Sequence, residues 1–188
     1  MRIRINLFLF SVLLIIIGCA GEPRVTPDQA RALITHRTMG LAYLEESTLS
    51  EAENEFQQII QLAPREPLGY ADLGLTYLRM GDFDRAGQQL RQALDRAPDD
   101  PQIRMLLAKV YEMTNRQAEA IRVLSQSLKK HPENVRTLYY LAQFYDQAGD
   151  PESIDRAVDL LGRVVSAVPG NLAARLQLVE TLLRNGKP

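Results

Sequence analysis

Tryptophan is absent from the 188 residues, aromatic side chains make up 6% of them, and histidine and cysteine are nearly missing, with two of one and one of the other. Without indole rings the chain has no broad stacking platform for bases or sugars. Two histidines and a lone thiol are too few soft donors for a zinc site, so neither a metal nor another cofactor is expected. Charge of one sign is missing too. The 22 basic and 23 acidic residues leave a net charge of -1, with no long block of one sign, which argues against nucleic acid as a partner. No glycine-rich phosphate loop, Gly-x-Ser-x-Gly elbow or His-Glu-x-x-His helix occurs. Adjacent carboxylates do occur, at Glu45-Glu46 and Asp99-Asp100. Acid-base pairs need groups that face each other across a substrate, whereas neighbours suit a solvated turn or a helix cap. The chain is not expected to be an enzyme.

What remains is an ordinary folding composition, 46% apolar and 24% charged. The lone cysteine, Cys19, stands where the longest apolar run ends. Arg2 and Arg4 precede Leu7 to Ile17, which is apolar except for Ser11 and is followed by Gly18, the charged-then-apolar plan of a secretory signal. A membrane-spanning helix needs about 20 apolar residues, and this run is too short. Ile16-Ile17-Gly18-Cys19 resembles the lipobox of bacterial lipoproteins. That resemblance implies a diacylglyceryl group on the Cys19 thiol, cleavage just before it, and a palmitate-type acyl anchor on the mature N-terminus. Residues 1–18 are then a signal peptide and residues 19–26 a lipidated tether, with Gly21 and Pro23 favouring an extended chain. One acyl chain holds weakly and two or three hold stably. Ala20 in place of an aspartate resembles the outer-membrane class, so the expected location is the cell envelope, at the outer membrane facing the periplasm.

The rest of the chain repeats. Pro64, Pro98 and Pro132 are each 34 residues apart, and Pro169 follows at 37. Gly40, Gly74, Ala108 and Ala142 keep the same step, as do Tyr43, Tyr77, Tyr111 and Tyr145. Met39, Leu73, Leu107 and Leu141 form another ladder, and Ala52, Ala86, Ala120 and Ala157 one more. A period of this length signals a stack of supersecondary units. The stretch from Pro67, PLGYADLGLTYLRMGDFDRAGQQLRQALDRAPDD, resembles the tetratricopeptide repeat through Leu73-Gly74, Tyr77, Gly81, Ala86, Leu90, Ala93 and Pro98, with Tyr70 in the place of the usual tryptophan.

The resemblance implies an all-α, right-handed superhelical solenoid of antiparallel helix pairs. Four units are expected over 27–171, at 33–66, 67–100, 101–134 and 135–171. Thr26-Pro27-Asp28-Gln29 reads as a capping box that starts the first helix early. Asp100-Pro101, Asn134 and Asn171 read as later helix starts, and Asp150-Pro151 as an early second helix in the fourth unit. Asn115 stands where the turn usually has glycine, which suits a left-handed backbone. His36 takes a helix-packing position, and His131 a helix end. Residues 172–188 match a capping helix or an incomplete fifth repeat, with Leu178, Val179 and Leu182 expected to pack on the fourth unit and Leu176 and Leu183 left outside.

In this family the first helix of each unit lines a concave groove that binds protein or peptide. Carrying its groove positions over selects Arg37, Leu41 and Leu44 in the first unit and Leu68, Ala71, Leu75, Leu78 and Arg79 in the second. Met105 and Lys109 follow in the third, then Tyr139 and Gln143 in the fourth. The first half is aliphatic and the second mixed. Leu41, Asp72, Gln102 and Leu106 replace the asparagines and basic residues of a chaperone-type carboxylate clamp. An amphipathic helix or extended peptide with apolar anchors is the expected ligand. The leading expectation is thus a lipid-anchored scaffold that positions another protein in an envelope complex. The combination resembles the lipoproteins that pilot type IV pilus secretins, a plan that other repeat lipoproteins share. Two alternatives stand beside it: an N-terminal module of a larger protein, and a homo-oligomer joined through its last helix.

Overall fold

The computed structural model describes residues 26–184 and 186. The expected signal peptide, Cys19 and all of the tether before Thr26 lie outside the described residues. Among the described residues there are nine α-helices and no strand. They are α1 (Pro27–Glu45), α2 (Leu49–Leu62), α3 (Pro67–Met80), α4 (Phe83–Arg96), α5 (Pro101–Met113), α6 (Gln117–Lys130), α7 (Val135–Ala148), α8 (Pro151–Ala167) and α9 (Leu172–Arg184). None is long and apolar enough to cross a membrane.

Local chemistry sets the boundaries. Thr26 and Gln29 form a reciprocal capping box: the Thr26 hydroxyl accepts from the Gln29 N–H at 3.2 Å, and the Gln29 amide accepts from the Thr26 N–H at 3.0 Å. Asp82, Asp100, Asn134, Asp150 and Asn171 each accept from a backbone N–H in the first turn that follows. Prolines 27, 67, 101 and 151 sit in first turns, where a missing N–H costs no intrahelical bond. Each hairpin reverses through one left-handed residue at the same place in its unit: Ser47 at φ 60°, Gly81 at 78°, Asn115 at 56° and Gly149 at 74°. Asn115 adopts the conformation its position predicts. Ser47 does so without any sequence cue, since serine has little preference for it.

Packing explains the ladder of small residues. A Cβ on Gly40 would lie 2.5 Å from Phe56 Cε1, and one on Gly74 would lie 2.7 Å from Leu90 Cγ. In the first two pairs the first helix therefore meets large side chains of the second at a distance that only glycine allows. Ala108 and Ala142 hold the same place in the next two pairs and are buried. Opposite them lie Ala52, Ala86, Ala120 and Ala157, each with no exposed surface. Phe56, Leu90, Leu124 and Leu161 are equally inaccessible, and the core runs unbroken from Leu44 to Ala174.

Each helix packs on its predecessor and its successor, and α3 also touches α5, as α5 touches α7. The odd-numbered helices therefore adjoin along one side, which makes that side the inner one. Polar ties on it step by 35 residues: Arg37 to Asp72, Arg79 to the Leu44 carbonyl, and Thr181 to Asp146. Elsewhere an arginine lies over a tyrosine ring, Arg85 on Tyr77, Arg96 on Tyr70, Arg116 on Tyr111 and Arg156 on Tyr145, at 3.8 to 5.4 Å from the centroid.

The last helix departs from expectation. α9 buries Ala174 and Thr181, with Leu178 and Leu182 partly covered, but Val179 is 53% exposed rather than packed on the fourth unit. The cause is helical phase. Ala174 and Thr181 are seven residues apart on the covered face, which Thr181 fixes by donating to Asp146 Oδ1 at 2.9 Å. Val179 lies about 160° around the helix from Thr181.

Candidate interaction surface

The inner surface inherits its side chains from the register of the repeats. Leu41 and Leu75 occupy the same position in successive units, as do Ile34 and Leu68, so the four line up in two parallel pairs across α1 and α3. Ile34, Leu41 and Leu68 are exposed, and Leu75 and Leu78 are half-buried beside the core. An aliphatic strip thus spans the first two units.

Two residues assigned to this surface from the repeat pattern do not belong to it. Leu44 is 2% exposed and Ala71 is 6% exposed. Both are taken up where the first unit meets the second. Arg79 from α3 reaches back to donate from Nη1 to the Leu44 carbonyl at 2.6 Å, and the methyl of Ala71 is too short to emerge from the contact.

Beside the strip lies a feature the groove positions alone do not reveal. Arg37 donates from Nε to Asp72 Oδ2 at 2.9 Å, joining α1 to α3. The Asp72 side chain is only 12% exposed and that of Arg37 is 42% exposed. Burial pushes the Asp72 carboxyl up, and the Arg37 guanidinium, through its hydrogen bond and its charge, pulls back in the other direction. Half-exposed Arg37 keeps donors free for a ligand. The signal that could have found this pair is the 35-residue offset between them, one more than the repeat period.

The second half of the surface is polar. Lys109 is exposed and pairs with Glu112 at 2.7 Å, while Met105 beside it is half-buried. Tyr139 and Gln143 are half-buried on α7, with the Tyr139 ring edge-on to Tyr140 at 6.4 Å. Arg79 is exposed at the boundary between the halves. The structure thus leaves Arg37, Leu41, Leu68, Leu75, Leu78, Arg79, Met105, Lys109, Tyr139 and Gln143 at least partly accessible.

Among the described residues the histidines and the Asp99-Asp100 carboxylates are engaged in contacts that join helices and turns. His36 Nδ1 lies 2.7 Å from Glu55 Oε2, bridging α1 to α2, and His131 donates from Nε2 to the Asp99 carbonyl at 2.8 Å, tying adjacent turns. Asp100 caps α5 and Asp99 lies near Lys130, so the adjacent carboxylates serve a cap and a turn. No group of three or more metal-ligating side chains occurs among the described residues. A cleft of about 540 Å³ where α7 meets α8 is lined by Leu141, Tyr145, Arg156 and Leu160 and opens widely to solvent.

Two family models, both describing the tetratricopeptide repeat, match residues 43–110 and 101–144, together more than half of the chain. None of the curated proteins compared with the sequence matches it. Among solved structures, the chain superposes on MamA of Desulfovibrio magneticus with a TM-score of 0.69 and 17% identity, covering 82% of this chain and 86% of that one. PilF of Pseudomonas aeruginosa gives a TM-score of 0.75 at 16% identity over 85% of this chain and 71% of that one. A thermophilic repeat protein of Thermus thermophilus gives 0.67 at 20% identity, with 84% and 82% covered. At these identities the likeness concerns the fold.

Proposed function

Since the chain belongs to the tetratricopeptide repeat family, whose fold serves as a scaffold for protein–protein contact, we propose that it is a lipid-anchored adaptor. It holds a partner protein against the inner surface at the bacterial envelope, at the outer membrane facing the periplasm, and so helps assemble an envelope complex. One observation carries the binding half of this reading: an aliphatic strip from Leu41 to Leu78 stays open to solvent on the inner side, next to the half-exposed Arg37. A long open strip suits the apolar face of an amphipathic helix or alternate side chains of an extended peptide, rather than a small molecule that needs enclosure. Arg37 would pair with a carboxylate on the partner beside its apolar anchors.

The anchoring half rests on the Ile16-Ile17-Gly18-Cys19 tetrapeptide. Removing residues 1–18 takes away Arg2 and Arg4, leaving 20 basic residues against 23 acidic and a net charge of -3, so no basic patch assists the membrane contact. Acyl chains carry that attachment alone. The Cys19→Ser variant lacks the nucleophilic sulfur and is expected to keep its signal peptide and take up no lipid. Mass spectrometry of the mature N-terminus checks this. An unmodified cysteine in the native protein, or cleavage at another site, removes the anchor from the account while leaving the inner surface untouched.

A further inference from the structure

On the side of α9 that faces away from the array, Leu172, Leu176, Val179 and Leu183 are 65%, 56%, 53% and 68% exposed. Their spacings of four, three and four residues are those of alternating d and a positions in two heptads. The helix's covered residues Ala174 and Thr181 fall at f, diametrically opposite. The exposed large apolar side chains keep to a and d, flanked by Ala173 at e and half-buried Leu182 at g, as along the seam of a coiled coil.

We propose that this seam pairs α9 with α9 of a second copy of the chain, in parallel, across a twofold axis running along the two helices. The inference goes beyond the partner groove and stands independently of it.

The identity of the occupant follows from two observations. First, Val179 takes the position held by Gly40, Gly74, Ala108 and Ala142 in the units before it. At Gly74 a Cβ would come within 2.7 Å of Leu90, and Ala108 and Ala142 place no more than a methyl at this position, so a second helix seated as α4 sits on α3 has no room for the larger valine. The seam is shaped for the wider spacing of knobs-into-holes packing instead. Second, the flanking charges select both partner and direction. Arg175 falls at g and Glu180 at e; neither makes an ion pair within 4 Å among the described residues, and Glu180 acts only through charge on Arg184, whose guanidinium is held by Asp146. In a parallel pair a g residue meets the e residue five positions further along the other chain, so Arg175 of each copy meets Glu180 of its mate, twice by symmetry. An antiparallel pair would set Arg175 beside Leu182 and Glu180 beside Ala173, leaving none of the four charges opposite a counter-charge across the seam.

Sedimentation equilibrium of the full-length chain in density-matched detergent tests this, comparing the natural chain with Arg175→Glu, Glu180→Arg and the double reversal. All these changes are on exposed side chains of a helix already held by the array. A concentration-dependent dimer is expected. Each single reversal weakens it about tenfold by placing like charges across the seam twice, and the double reversal restores it. A chain that stays monomeric throughout overturns the proposal, leaving the stripe to a different occupant. So does a dimer indifferent to the single reversals, or one that the double reversal fails to restore.

Discussion

Replacing Phe56 with alanine is expected to lower the free energy of unfolding by about 3 to 5 kcal/mol, the range for deleting a buried aromatic ring. Phe56 has no exposed surface, and its ring fills the space that Gly40 leaves open where α1 meets α2. The ring has no substitute nearby. Because each unit is stabilised mainly by its neighbours, the loss should loosen α1 and α2 before the units that follow. Chemical denaturation followed by circular dichroism, with hydrogen exchange to locate the loss, measures both effects. As a reference, Met113→Ala on the exposed end of α5 should shift stability by no more than about 0.5 kcal/mol. Equal effects at the two sites would mean that the close glycine contact does not organise the first unit.

The second large effect concerns binding. Replacing Leu41 and Leu75 together by lysine should weaken capture of the partner at least about a hundredfold, since buried leucines contribute about 1.5 to 3 kcal/mol each and 1.4 kcal/mol is a factor of ten. Two ammonium groups desolvated against apolar surface add to that loss. Leu41 is 36% exposed and Leu75 is half-buried beside the core, so the fold must be checked alongside. A variant with native circular dichroism and lost binding supports the strip as the site. An unfolded variant shows that both leucines mainly join the units, and a folded variant that binds normally excludes this surface.

Much of the fold could be read from the chain because its physics repeats. A glycine or alanine is required wherever two helices of a unit approach, so Gly40, Gly74, Ala108 and Ala142 mark the units without reference to coordinates. Caps are local too, and Thr26, Asp100, Asn134 and Asp150 all do what their side chains favour. The inner surface was less legible. Repeat positions treat every unit alike, yet position-equivalent residues differ in reach: Ala71 disappears into a contact from which a longer side chain would emerge. Leu44 is drawn into the core, and Arg79 crosses from the next unit to its carbonyl, a contact that depends on the superhelical step and not on either residue's neighbours in sequence. The Arg37–Asp72 pair depends on the same step. Val179 departs from the burial of its repeat position for a different reason. Among the described residues α9 is covered on one side, so its phase is set by Ala174 and Thr181.

A partner bound as proposed lies against the inner side of the array. Site-specific photocrosslinking in the native envelope tests it most directly, with a photoreactive residue placed at Leu68 on the inner side or at Gln88 on the exposed face of α4. Both positions are open, so neither substitution should disturb packing. A crosslinked partner is predicted from position 68 and none from position 88. Crosslinking from 88 with none from 68 would show that the partner docks on the outer side instead.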